Sequence, residues 1–233
     1  MNLWEKISQA IAAPFEMFVS GFRAARGDPD AWEPSIRRFE AQDRIQPPAA
    51  GSIVFIGSSS FTFWSTLARD MTPLPVLNRG FGGARMQDVV HYAARCVLPY
   101  RPRAVVLFAG TNDIAEPQPA SAQQVFEGYQ AFVECVHAAL PETPIYFVSI
   151  TPSPLRWTLW SIANEANRLI KAHTHSDARL HFIDMTPHLL GPDGKPVRGV
   201  YRWDRLHPNK KGYAIWKAVI KPVLQADLFP TAG

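Results

Sequence analysis

Five short apolar runs, Ile53–Ile56, Val76–Asn78, Ala104–Phe108, Ile145–Ile150 and Leu180–Ile183, alternate with longer stretches of helical periodicity. The runs are dense in Val, Ile, Leu and Phe, the composition of strands buried on both faces. Helix-like segments near 61–70, 86–98, 121–139 and 158–173 lie between them, and one near 210–225 follows the last. Strands separated by helical stretches pair in parallel through right-handed crossovers. The expected fold is therefore α/β: a single doubly wound, flavodoxin-like sheet of five parallel strands with helices on both faces. At 233 residues the chain has the length of one such domain. A chain of this size buries roughly 70–75% of its unfolded surface, so its core needs no covalent staples. Its two cysteines, Cys96 and Cys135, stand in helix-like segments and form no motif with each other or with a histidine. Neither a disulfide framework nor a metal site is expected, and no cofactor motif is seen. The net charge of +4 comes from dispersed Lys and Arg with acids between them, which does not favour nucleic acid as a partner.

Residues 1–50 read as a helical extension and linker, and residues 51–233 as the sheet domain. Trp4, Ile7, Ile11, Phe15, Phe18 and Phe22 follow helical steps, with Pro14 set to kink or divide the helix. Glu5, Lys6 and Glu16 interrupt the apolar run, so it is neither a membrane span nor a standard signal peptide. Such a helix packs on the domain, on a second subunit or on a membrane surface. Homo-oligomer or peripheral membrane contact through it is one expectation; a cytoplasmic location, from the lack of a recognisable export signal, is another. A short helix carrying Ile36, Phe39 and Ile45 follows, then a Pro47-Pro48 loop.

The residues at the strand ends carry the chemistry. The first strand stops at Gly57, and Ser58-Ser59-Ser60 opens the next segment. Serines there either cap a helix or present a hydroxyl at the edge where open α/β sheets bind ligands. The second strand leads into Asn78-Arg79-Gly80-Phe81-Gly82-Gly83, the third into Gly110-Thr111-Asn112-Asp113, and Asp204-Arg205-Leu206-His207-Pro208 lies near the end. Acyl transfer needs a nucleophile, a base, a group that orients the base, and oxyanion donors. Ser59 can supply the first, His207 the second and Asp204 the third. The N–H groups of Ser59 and Gly83 and the Asn112 amide can supply the donors. Each residue alone reads as a turn, a cap or an ordinary histidine; the set in this order does not.

These four blocks resemble those of the SGNH hydrolases, the GDSL esterase and lipase family, over about residues 50–225. The resemblance implies that residues 51–233 form an SGNH-type hydrolase domain. It implies Ser59 as nucleophile, Asp204 and His207 as its triad partners, and an oxyanion hole of Ser59, Gly83 and Asn112. Gly83 is preferred to Gly82 by its spacing of five from Asn78. The family usually has an aspartate before the nucleophile; here Ser58 stands there, as in a subgroup with a Gly-Ser-Ser-Ser block. That subgroup also carries a stretch matched by Pro152-Ser153-Pro154-Leu155-Arg156-Trp157. Arg156 and Trp157 are substrate-binding candidates, Arg156 through a carboxylate or phosphate; the other reading of Arg156 is a brace from its loop to a nearby acid.

The function expected is ester hydrolysis of short acyl or acetyl esters through a Ser59 acyl-enzyme. The alternatives are acyl transfer by the same triad and a non-catalytic phosphate- or nucleotide-binding module. The last lacks both a Gly-x-Gly-x-x-Gly turn and a P-loop lysine. Phe61, Trp64, Phe81 and Trp203, beside the blocks, either shape an acyl pocket or fill the core.

Overall fold

The apolar runs do become strands, and their neighbours determine where each one stops. The computed structural model describes residues 30–230, together with Ser20, Arg23 and Asp28. The helix expected over residues 1–25 lies outside the described residues, those few positions aside. The described strands are β1 Ile53–Gly57, β2 Val76–Gly80, β3 Ala104–Phe108, β4 Ile145–Val148 and β5 Leu180–Ile183. They form one parallel sheet in the order β2-β1-β3-β4-β5. The helices are α1 Glu33–Ile45, α2 Ser59–Thr62, α3 Leu67–Met71, α4 Met86–Cys96, α5 Ala122–Ala139, α6 Trp160–Thr174, α7 Thr186–Leu189 and α8 Lys210–Leu228.

Strand side chains alternate between faces, so the sheet carries two cores. Val54, Ile56, Val105 and Leu107 pack with α1, α4, α5 and α6. Ile53, Phe55, Val106 and Phe108 pack with α2, α3, α7 and α8 around Trp64 and Trp216. The chain leaves β1 over the second face and β2 over the first, then crosses back to β3 on the far side of β1. This is the topological switch at which open α/β sheets form their clefts. The register brings the strand ends level: Gly57 pairs with Gly80 on one side and with Phe108 on the other.

Four local expectations change. Strand β2 runs on to Gly80 because Arg79 is buried, ion-paired with Asp43, bonded to the Tyr100 hydroxyl and stacked on Phe39. Strand β4 ends early because the Asn167 side chain takes over both the N–H and the C=O of Ile150. The helix expected over 61–70 breaks between Thr62 and Leu67. Ser65 and Thr66 favour caps over helix interiors, and the Thr66 hydroxyl and the Trp64 indole both donate to Asp70 across the break. In α1, Ile36 and Phe39 are buried but Ile45, in its last turn, is 87% exposed. No helix among the described residues is long and apolar enough to cross a membrane.

Candidate active site

The turn after β1 is shaped by crowding. Gly57 has φ +149°, and a Cβ there would lie 2.0 Å from the Phe108 carbonyl oxygen. Only glycine fits so close a passage of β1 past β3. Ser58 is extended, and its N–H donates to that same carbonyl at 3.0 Å. The chain then turns into α2 with Ser59 as its first residue. Ser59 therefore sits among the unpaired N–H groups of a helix start. Two side chains hold α2 from its other end: Asn78 Nδ2 donates to Phe61 O at 2.7 Å, and the Tyr213 hydroxyl to Ser60 O at 2.8 Å. The serine run does not cap the helix through Ser58, which makes no side-chain cap bond; its hydroxyl is buried without a partner.

The second wall is the loop between Tyr201 and Pro208, which bridge each other. Arg205, at φ +60°, turns the chain inside it. Asp204 Oδ1 accepts the N–H groups of Leu206 and His207, both at 2.9 Å, which points Oδ2 at the imidazole. His207 Nδ1 donates to that Oδ2 at 2.8 Å, leaving Nε2 to accept the Ser59 hydroxyl at 2.7 Å. Phe63 meets the imidazole edge-on at 4.8 Å. Burial pushes the His207 pKa below its ordinary value, against the pull of Asp204. Burial also pushes Asp204 upward, but the His207 and Leu206 amides and the imidazole outweigh it and hold the carboxyl below its usual range. Ser59, His207 and Asp204 thus form one hydrogen-bonded row, the imidazole between the hydroxyl and the carboxyl group.

The third wall joins the loops after β2 and β3. Gly83, at φ +89°, faces Trp32; an added Cβ would come within 2.8 Å of that ring. Asn112 Nδ2 donates to Ala84 O at 2.9 Å, and the Met86 N–H donates to Asp113 Oδ1 at 2.9 Å. The second oxygen of Asp113 is buried without a partner, and burial pushes this carboxyl up to about 6. Arg156 donates through Nη1 to the Thr111 carbonyl and, at 2.9 Å, to the Thr111 hydroxyl, and through Nη2 to Asn112 Oδ1 at 3.0 Å. Of its two sequence readings, the brace describes its position, though it braces a carbonyl, a hydroxyl and an amide rather than an acid. Trp157 stacks on Trp160.

Phe61, Trp64 and Phe81 are wholly buried and belong to the core, whereas Trp203 is 93% exposed. Sequence reasoning missed the holding roles of Asn78, Tyr213 and Phe63. Asn78 lay within a recognised block, so a signal existed. No local pattern singles out Tyr213 or Phe63, and only the fold brings them to the site. Among the described residues no group of acids, histidines and cysteines could hold a metal ion.

The profile of the GDSL-like Lipase/Acylhydrolase family matches residues 49–215. The platelet-activating factor acetylhydrolase IB subunit alpha1 of Homo sapiens is 29% identical over 194 residues, covering 78% of each chain. Among solved structures, a GDSL-like lipase from Bacteroides thetaiotaomicron superposes with TM-score 0.69 at 21% identity, over 82% of this chain and 97% of that one. A lipase/acylhydrolase from Enterococcus faecalis gives 0.62 at 18% identity, over 78% and 100%. These two likenesses are of fold.

Proposed function

Because the chain belongs to the GDSL-like lipase/acylhydrolase family, the SGNH hydrolases, and is a carboxylic ester hydrolase, we propose that it cleaves short acyl or acetyl esters through an acyl-enzyme on Ser59. The observation that carries this reading is the unbroken chain of hydrogen bonds from the Ser59 hydroxyl through His207 to Asp204. His207 takes the hydroxyl proton as Oγ attacks the ester carbonyl. The tetrahedral oxyanion forms against the N–H groups of Ser59 and Gly83 and the Asn112 amide. His207 then returns the proton to the leaving alcohol. Water, deprotonated by the same nitrogen, releases the acid and restores the serine. Asp204 keeps the proton on Nδ1 and stabilises the imidazolium.

The acetyl preference takes its support from the relatives named acetylhydrolases. Leu155 and Trp203 are exposed on two loops joined by the Leu155 N–H to Arg205 O bond, and offer apolar surface beside the triad. A p-nitrophenyl ester series of rising chain length, run beside an acetylated-sugar panel, tests the reading. Fastest turnover is expected on the shortest esters, with Ser59→Ala lower by about six orders of magnitude. Undiminished turnover in that variant would refute the mechanism, and a preference for long chains would refute the substrate class.

A further inference from the structure

An asparagine amide is nearly symmetrical in shape, and its two ends differ only in chemistry: Oδ1 accepts and Nδ2 donates. An oxyanion hole that uses Asn112 works in one orientation of that amide and fails in the other, because a reversed amide turns an oxygen toward the developing negative charge. Two contacts decide between them. Ala84 O accepts from Nδ2, and Arg156 Nη2 donates to Oδ1. With one Nδ2 hydrogen given to Ala84, the second has no bond among the described residues. Resting on the reading of Asn112 as an oxyanion donor, we propose that Arg156 is a positioning residue for ester cleavage, locking the Asn112 amide with Nδ2 toward the substrate carbonyl and polarising it.

The placement of the guanidinium fits this task. It comes from the Pro152–Trp157 loop, which is tied to the triad loop by the Leu155 N–H to Arg205 O bond and by the Tyr201 hydroxyl on Pro152 O. Its planar fork reaches Thr111 and Asn112 at once, which a point charge such as an ammonium does not do. Burial lowers its pKa to about 10, which leaves it a cation at neutral pH. A cation on Oδ1 draws electron density from the amide and leaves Nδ2–H a stronger donor, as hydrogen bonds in series polarise one another. The effect grows with the negative charge on the substrate oxygen, so it belongs to the transition state rather than to substrate binding.

The test is steady-state hydrolysis of p-nitrophenyl acetate by Arg156→Met, Asn112→Ala, the double variant and Thr111→Val, with melting temperatures measured alongside. Asn112→Ala should lower kcat by about a hundredfold or more. Arg156→Met should lower kcat by about 10- to 100-fold and leave KM within about threefold. The double variant should be no worse than Asn112→Ala alone, since the arginine acts through that amide. Thr111→Val, which removes one anchor of the guanidinium but leaves its bonds to the Thr111 carbonyl and to Asn112, should lower kcat by less than Arg156→Met does. If the methionine variant does not fold, Arg156→Lys replaces it, with about a tenfold loss of kcat expected from the lost fork. Wild-type kcat in the Arg156 variants, a raised KM at constant kcat, or losses that multiply in the double variant would overturn the proposal. Asn112→Ala at wild-type kcat would instead overturn the oxyanion reading beneath it.

Discussion

The turn that presents Ser59 and the loops that present Gly83 and Asn112 meet at one sheet edge but are held by different physics. The serine turn is fixed by backbone crowding and apolar packing: Gly57 against Phe108 O, and Phe61 and Trp64 in the core. Its polar supports, Asn78 and Tyr213, are neutral. The loops of the candidate oxyanion hole are instead tied by charged and polar side chains, Arg156, Asn112 and Asp113, with Gly83 against the edge of the Trp32 ring. A crowded backbone is rigid in any solution that keeps the protein folded. A polar network is adjustable by charge. Ser58 brings no charge to the serine turn and its hydroxyl makes no bond, whereas the other wall carries a cation, Arg156.

Three substitutions or conditions can break or sharpen this contrast. Gly57→Ala should have the largest effect, because its methyl group has nowhere to go. We expect a loss of about 3 kcal/mol or more, read as a fall in melting temperature of roughly 10 °C or as failure to fold. A variant that melts like wild type would show that the turn is not set by crowding. Gly83→Ala should be milder in stability and sharper in rate, since the Trp32 ring can yield where a backbone carbonyl cannot. The expectation is a melting point lower by a few degrees and a kcat lower by about 10- to 100-fold as the loop shifts. Unchanged kcat would remove Gly83 from the proposed oxyanion hole.

The smallest effect is that of pH. In the proposed mechanism His207 can act as base only when neutral, and burial holds its pKa below the 6.5 of an ordinary imidazole. The acid limb of kcat/KM should therefore have its midpoint below 6.5. The carboxylate of Asp204 opposes that shift, so Asp204→Asn should move the midpoint lower still while reducing kcat. The same imidazole takes a proton more readily when unfolded, so its contribution to stability is also lost as pH falls below that of the unfolded group. A midpoint above 6.5 in the wild type would contradict the burial assigned to His207.

The sheet was legible in the sequence because five apolar runs had no other way to be buried. Ala104–Phe108 and Leu180–Ile183 are strands over the very residues expected. Misjudged ends have one cause: a side chain distant in sequence. Arg79 looked like a loop residue until Asp43, Tyr100 and Phe39 enclosed it, and Ile150 looked like strand until Asn167 claimed its amide groups. The candidate triad was legible because Asp204 and His207 stand three residues apart and Ser59 follows a strand-ending glycine. Less legible was the support. Trp32 opens the stretch read as a short helix ahead of the sheet domain, and nothing there shows that its ring edge lies against Gly83. Arg156 was visible as a cation in a stiff loop, but no local pattern reveals that it reaches Asn112, 44 residues away in the chain.

Ester cleavage by the proposed mechanism depends on an activated hydroxyl at Ser59, and a fluorophosphonate probe measures that directly. After brief exposure and peptide mapping, the wild type should carry one label, on Ser59, with hydrolysis lost in proportion, and Ser59→Ala should carry none. A label on another residue, or a Ser59→Ala protein that still hydrolyses esters at the wild-type rate, would contradict it.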